Sequence, residues 1–199
     1  MEGQFKKYQL LHHIKACLED NNEWTFWSIN DDVYNFIPIL VKLANKYPGP
    51  IIEFGCCLGH SAICIASAKP INKKLITIDW FKNNQLGVSN NAHRTMTQRN
   101  LKYVIDYANV ELVDSDIGEF IQNYNGNSPS MVFLDSNHNA KCVNREIDFA
   151  IKWKVPIICG HDYSDEFPDV KKCVHNKFPN HKINIYSNLW WVEYNKEKK

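Results

Sequence analysis

The sequence has no long hydrophobic run. No segment approaches the roughly 18 apolar residues that a membrane span needs, and the opening Met1-Glu-Gly-Gln-Phe-Lys-Lys is not followed by the apolar stretch of a secretion signal. A soluble, non-secreted, cytoplasmic protein is expected. The chain also lacks an excess of either charge: 23 Lys+Arg face 22 Asp+Glu, a formal net charge of +1, so its overall field draws it neither to nucleic acid nor to an anionic membrane. A small-molecule partner is favoured instead, and a homo-oligomer is compatible with this. C-x-x-C pairs are missing too. The seven cysteines, at 17, 56, 57, 64, 142, 159 and 173, are odd in number and mostly set in apolar segments such as Ile63-Cys64-Ile65, which suits reduced core thiols rather than disulfides or zinc ligands.

What is present has the size and texture of one folded domain. At 199 residues, 44% hydrophobic and 23% charged, the chain can bury a core, and no repeat, low-complexity tract or Gly/Ser/Pro linker divides it. We read N-terminal helices over 1–48, a core over 49–194 and a solvated tail over 195–199. Leu10, Leu11, Ile14, Cys17 and Leu18 predict a helix over 5–20. A second, capped by Ser28 or Asn30, runs through Val33, Phe36, Ile37, Leu40, Val41 and Leu43, with Pro38 near its first turns. Five short apolar runs follow, 51–54, 75–78, 110–113, 131–134 and 155–159, with helix-like stretches at 60–68, 91–106, 117–123 and 139–153 between them. That alternation predicts a parallel sheet covered on both faces. After a helix at 168–177, strands at 182–186 and 189–194 meet at Ser187-Asn188 as a tight antiparallel hairpin. The expected fold is α/β and doubly wound, a mostly parallel seven-stranded sheet ending in that hairpin. The stretch from Trp80 to Asn91 is read as a mobile surface loop.

In such a sheet, ligands bind beyond the carboxyl ends of the strands. The first strand runs into Glu53-Phe-Gly55-Cys-Cys-Leu-Gly59-His-Ser61, where two glycines allow a tight turn and close approach of a ligand to the backbone. The second ends at Asp79, about 20 residues past that loop, where a carboxylate is placed to accept ribose hydroxyls. A nicotinamide site would share both features but wants G-x-G-x-x-G, which the loop after Gly55 does not spell, so that rival is weaker.

These residues resemble the class I S-adenosylmethionine-dependent methyltransferases over roughly residues 30 to 194. Glu53-x-Gly55-x-x-x-Gly59-x-Ser61 is similar to the first motif of catechol-type O-methyltransferases, with Cys57 where the common version has glycine. Asp79 matches the family's ribose-binding acid. Val113-Asp-Ser115-Asp116 resembles the segment beside the adenine ring, although Asp116 also suits a helix cap. The resemblance implies S-adenosylmethionine as cofactor, contacted by Glu53, Gly55, Gly59, Ser61, Asp79 and Ser115 or Asp116.

The fourth and fifth strands deliver Asp135-Ser-Asn-His138 and Gly160-His161-Asp162-Tyr163, so four titratable groups meet at carboxyl ends. Their patterns, D-x-x-H and G-H-D-Y, resemble small O-methyltransferases of the macrocin and cephalosporin type. In metal-dependent relatives the matching acids bind magnesium, which makes Asp135 and Asp162 the implied ligands of Mg2+ or another divalent cation. His138 stands where catechol-type relatives carry a lysine base, and histidine is the side chain that ordinarily exchanges a proton near neutral pH. His161 is the alternate base. The expected activity is methyl transfer to a hydroxyl oxygen of a small molecule of sugar or natural-product type. Rivals are a non-catalytic binding module that keeps the fold, and nucleic-acid methylation, for which an N-P-P-Y type of motif is absent. Trp24, Trp27, Trp190 and Trp191 are read as core or interface before pocket wall, and His12, His13, His93, His175 and His181 as surface.

Overall fold

A computed structural model describes residues 35–82 and 87–194. The helix expected over 5–20, the caps Ser28 and Asn30, Trp24 and Trp27 lie outside the described residues. Seven strands form one sheet: β1 (Ile51–Phe54), β2 (Leu75–Asp79), β3 (Val110–Asp114), β4 (Met131–Leu134), β5 (Ile157–Gly160), β6 (Asn184–Tyr186) and β7 (Leu189–Glu193). Their spatial order is β3-β2-β1-β4-β5-β7-β6. β1 is central, with Ile51 opposite Leu75 on one side and Met131 on the other, both pairings parallel. All four residues of β1, β4 and β5 are buried, which is why these strands read as unbroken apolar runs rather than as alternation.

Because side chains alternate across the sheet, each central strand feeds two cores. Ile51 and Phe133 join Phe36, Leu40, Ile63 and Leu101 on one face, under α1 (Ile37–Ala44), α2 (His60–Ala68) and α3 (Asn90–Tyr107). Ile52, Phe54 and Val132 join Ile147, Phe149, Val174 and Trp190 on the other, under α4 (Ile117–Asn123), α5 (Ala140–Lys152) and α6 (Pro168–Lys177). Trp190 is fully buried there, as the core reading expects. Pro38 sits in the first turn of α1, where a missing N–H costs nothing. Ser89, Asp116 and Asn139 cap α3, α4 and α5, each accepting an N–H from the first helical turn. The β6–β7 hairpin pairs Tyr186 with Leu189, and Ser187 takes φ +51° in its two-residue turn. The described cysteines, Cys56, Cys57, Cys64, Cys142, Cys159 and Cys173, are free, and no helix among the described residues is long and apolar enough to cross a membrane.

Strand order reverses between β1 and β4, and sheet pairing runs one residue past the strand ends there. Gly55 N–H donates to Ile78 O at 3.0 Å, Asp135 N–H to Phe54 O at 2.8 Å, and His161 N–H to Leu134 O at 3.0 Å. The residues that follow are therefore held by the sheet itself along one edge.

Candidate active site

Beyond that edge lies a cleft of ≈ 460 Å³, lined by Gly55, Cys57, Asp79, Trp80, His93, Asp116 and the Asp135–Asn139 segment, with Cys142 and Arg145 behind. Its floor is the β1–α2 loop. Gly55 and Gly59 both take φ +91°, a conformation that only glycine adopts freely. A Cβ at Gly55 would also collide with the Asp135 carbonyl and come within 2.6 Å of Ser136 Cα. The space that Gly55 leaves is thus filled by the β4 loop, which presses the glycine turn against the segment carrying Asp135. A larger side chain there would push the two apart rather than merely block a ligand.

The loop is clasped from both sides. Asp79 Oδ2 accepts the N–H groups of Cys56 at 3.0 Å and Cys57 at 2.7 Å, while Oδ1 accepts that of Phe81 at 2.9 Å. From α3, Asn100 Nδ2 donates to Leu58 O at 3.0 Å, and Thr97 Oγ1 donates to Cys57 O. Three non-glycine residues at this edge, Cys57, Phe81 and Asp162, have φ of +48°, +53° and +57°. Backbone held in that region costs about 1–3 kcal/mol per residue and persists only where its surroundings enforce it.

At the other end of the cleft, Asp162 is the hub. His138 Nε2 lies 2.6 Å from its Oδ2, and His161 Nδ1 lies 3.2 Å from its Oδ1 and 3.8 Å from Asp135 Oδ1. Burial by itself would raise the Asp162 carboxyl, but the contacts from His138 and His161 outweigh it and hold the group well below the usual carboxylate range. The carboxylate is therefore ionised and grips an imidazole on each oxygen. Asp135, His161 and Asp162 bring ligand atoms within 4.8 Å of one another, a spacing that suits a metal ion. Aromatic rings flank the histidines: Phe167 lies 4.3 Å from His138, and Phe36 lies 5.4 Å from His161, centroid to centroid.

Residues 52–163 match a family model described as a methyltransferase domain. The chain belongs to that family, of the class I type whose members draw the methyl group from S-adenosylmethionine. No curated protein matches it. Among solved structures, the chain is similar to CalS11, a TDP-rhamnose 3'-O-methyltransferase of calicheamicin biosynthesis, at 12% identity over 82% of this chain and 79% of that one, with a TM-score of 0.63. It is similar to an O-methyltransferase from Bacillus cereus in complex with SAH, at 13% identity over 91% and 90%, TM-score 0.58. TomG, an O-methyltransferase from Streptomyces achromogenes in complex with SAM, shares 14% identity over 81% and 78%, TM-score 0.56.

In this methyltransferase not every residue singled out in the sequence faces the cleft. Gly55, Asp79, Asp116, Asp135 and His138 line it, with Asp162 and His161 against His138 and Asp135. Asp116 both lines the cleft and caps α4 through Glu119 N–H at 3.1 Å. Asp135 does not cap α5, because Asn139 does. Glu53 and Ser61 instead lie beneath the loop, 0% and 4% exposed. Thr77 Oγ1 donates to Glu53 Oε2 at 2.5 Å, and burial pushes the Glu53 carboxyl up to about 8, against the Ser61 and Thr77 contacts that lower it. A neutral Glu53 under the glycine turn supports the floor and does not form the wall. Ser115 Oγ turns to Asp116 O at 3.0 Å, and Gly59 begins α2 against the Leu101 side chain.

The surface reading of His93 is overturned: it is 4% exposed and lines the cleft. The buried stripe of α3 is His93, Thr97, Asn100, Leu101 and Val104, a spacing of i, i+4, i+7, i+8 and i+11. Following the apolar Leu101–Val104 stripe backwards through its polar members would have found it.

Proposed function

We propose that this methyltransferase transfers a methyl group from S-adenosylmethionine to a hydroxyl oxygen of a small hydroxylated acceptor, of sugar or natural-product type. The observation that carries this reading is the Asp162 hub, which ties D-x-x-H and G-H-D into one constellation at the end of a cleft whose other end is a glycine turn against Asp79. The O-methyltransferase activities named for CalS11 and TomG point the same way. The residues fit the cofactor: a glycine turn at Gly55 that lines the cleft, a carboxylate at Asp79, and buried His93 nitrogens with no protein partner. Bound there, S-adenosylmethionine supplies an electrophilic methyl group on its sulfonium.

The chain's own work is then positioning and proton removal. Gly55, Asp79 and Asp116 hold the nucleoside. His138 takes the acceptor's proton. With Nε2 against Asp162 Oδ2, its Nδ1 is the nitrogen left to receive it, and the ionised Asp162 stabilises the imidazolium that forms. His161 joins Asp135 and Asp162 as a third candidate ligand of a divalent cation, a mixed oxygen and nitrogen set that suits manganese, iron or zinc better than magnesium. Such a cation would lower the pKa of the acceptor hydroxyl and orient it. Calorimetry with S-adenosylhomocysteine, followed by a screen of hydroxylated compounds for its release with and without a chelator, tests the reading. Tight binding, release with a hydroxylated acceptor and loss of turnover in chelator are expected. Failure to bind S-adenosylhomocysteine would overturn the donor, and full turnover in chelator would overturn the cation.

A further inference from the structure

The polar stripe of α3 serves the cleft floor with two of its three members. Asn100 donates to Leu58 O and Thr97 to Cys57 O. One turn further towards the helix start, His93 meets no loop carbonyl. It is 4% exposed, its ring stands edge-on to Phe81 at 5.0 Å and 86°, and neither Nδ1 nor Nε2 has a hydrogen-bond partner in the protein. A buried polar group left so is destabilising, and such orphans need a reason. His93 also lines the cleft that Asp79 and Trp80 line, and Phe81 bridges the two groups, its N–H on Asp79 Oδ1 and its ring on His93.

The lone pairs of Asp79 supply the other half of the argument. A carboxylate offers about four acceptor positions, and three are filled by the N–H groups of Cys56, Cys57 and Phe81. A ribose brings two vicinal hydroxyls. Asp79 has one position for them, and the second hydroxyl needs another protein group at the same place.

We infer that His93 is a second ribose anchor of the nucleoside cofactor, hydrogen-bonding the sugar hydroxyl that Asp79 has no lone pair left to accept. The inference rests on the methyl-donor reading above. A neutral imidazole offers one donor and one acceptor nitrogen, so it serves a hydroxyl in either direction. No metal explains it instead, since Asp135, His161 and Asp162 form the ligand cluster found among the described residues, and His93 is not part of it.

The test is calorimetry of S-adenosylhomocysteine and its 2'-deoxy and 3'-deoxy analogues with the wild type, His93→Phe and His93→Gln, beside melting temperatures without ligand. His93→Phe keeps a ring against Phe81 but offers no hydrogen bond. It should weaken S-adenosylhomocysteine about tenfold, His93→Gln should recover part of that loss, and the analogue lacking the contacted hydroxyl should bind wild type and His93→Phe alike. Binding of S-adenosylhomocysteine by His93→Phe within twofold of wild type overturns the inference, as does a loss equal for all three ligands, which marks a general disturbance of the site. Should neither variant fold, nitrogen NMR of the wild type decides: the His93 ring nitrogens should shift on titration with S-adenosylhomocysteine, and unmoved signals overturn the inference. If the wild type binds no S-adenosylhomocysteine, the methyl-donor reading itself fails, which is a distinct result.

Discussion

The two edges of the sheet bury polar groups in opposite ways. At the amino edge, Lys69 is 1% exposed and donates to Ala108 O behind the end of α3. Lys73 Nζ donates to Ala44 O and Tyr47 O at 2.6 Å each, and to Ser130 Oγ at 3.2 Å. These ammonium groups close carbonyls at helix ends, where positive charge is favoured, and burial pulls both below the ordinary lysine range, Lys69 to about 8 with Lys73 contributing. At the carboxyl edge, Asp79 keeps a lone pair and His93 keeps two ring nitrogens. One edge satisfies its buried polar groups within the fold; the other leaves some of its own without protein partners at the cleft. The contrast separates satisfied from unsatisfied burial in a chain where both look alike by exposure alone.

The largest expected effect is at the carboxyl edge. His138→Ala should lower single-turnover methyl transfer by at least a hundredfold, the lower end of general-base contributions of about 10²- to 10⁴-fold, while S-adenosylhomocysteine affinity stays near wild type. His161→Ala, which also removes a candidate cation ligand, is the comparison, and a larger loss there that added divalent metal does not restore would move the base to His161. Asp79→Ala should weaken S-adenosylhomocysteine at least tenfold, about 1.4 kcal/mol, because it removes the ribose acceptor and frees the N–H groups of Cys56 and Cys57. Equal affinity in the folded variant would return Asp79 to a purely structural role.

Lys73→Met sharpens the contrast from the other side. It should cost about 1–3 kcal/mol of stability by orphaning Ala44 O and Tyr47 O, with no change in ligand affinity; weakened binding would break the division between the edges. The smallest effect concerns pH. Burial pushes Glu146 up to about 8 from an ordinary 4.5, with Asp135 adding to the rise and the Ser136 hydrogen bond and Arg145 opposing it. The folded state then holds a proton that the unfolded chain has lost, so stability falls as pH rises from about 4.5 to about 8. Glu146→Gln should flatten that decline, melting near wild type at pH 5 and above it at pH 8. Parallel curves for the two proteins would show that Glu146 is ionised in the folded state.

Legibility in the sequence followed the range of the interactions. Strands 51–54 and 131–134 and helices 60–68, 117–123 and 168–177 agree with the structure residue for residue, because continuous apolar runs, caps and Gly/Pro punctuation are local signals. The fifth strand begins at Ile157 rather than Val155: Val155 N–H turns back to Ala150 O, leaving it to close the end of α5. That Asp79, Asp135, His138, His161 and Asp162 gather along one edge was legible because they follow the strand ends of an α/β sheet, so position along the chain sufficed.

Direction was not findable in that way. Glu53 and Gly55 are two residues apart on one motif, yet the first points into the floor and the second meets the backbone of β4. Motif spacing cannot say which, since it does not encode what packs from above. His93 sits 14 residues after Asp79, and only the docking of α3 against the glycine turn carries it to the cleft.

The sequence by itself determined the layered α/β fold, the glycine turn and the five titratable groups at the strand ends, because alternation, caps and strand-end chemistry are written in short windows. Only the tertiary structure decided that Asp162 joins both histidines, that Asp79 spends most of its lone pairs on the loop it anchors, and that His93 faces the cleft. Those facts turn on how side chains are oriented and on contacts such as His138 with Asp162 and Cys57 with Asp79, which only packing sets.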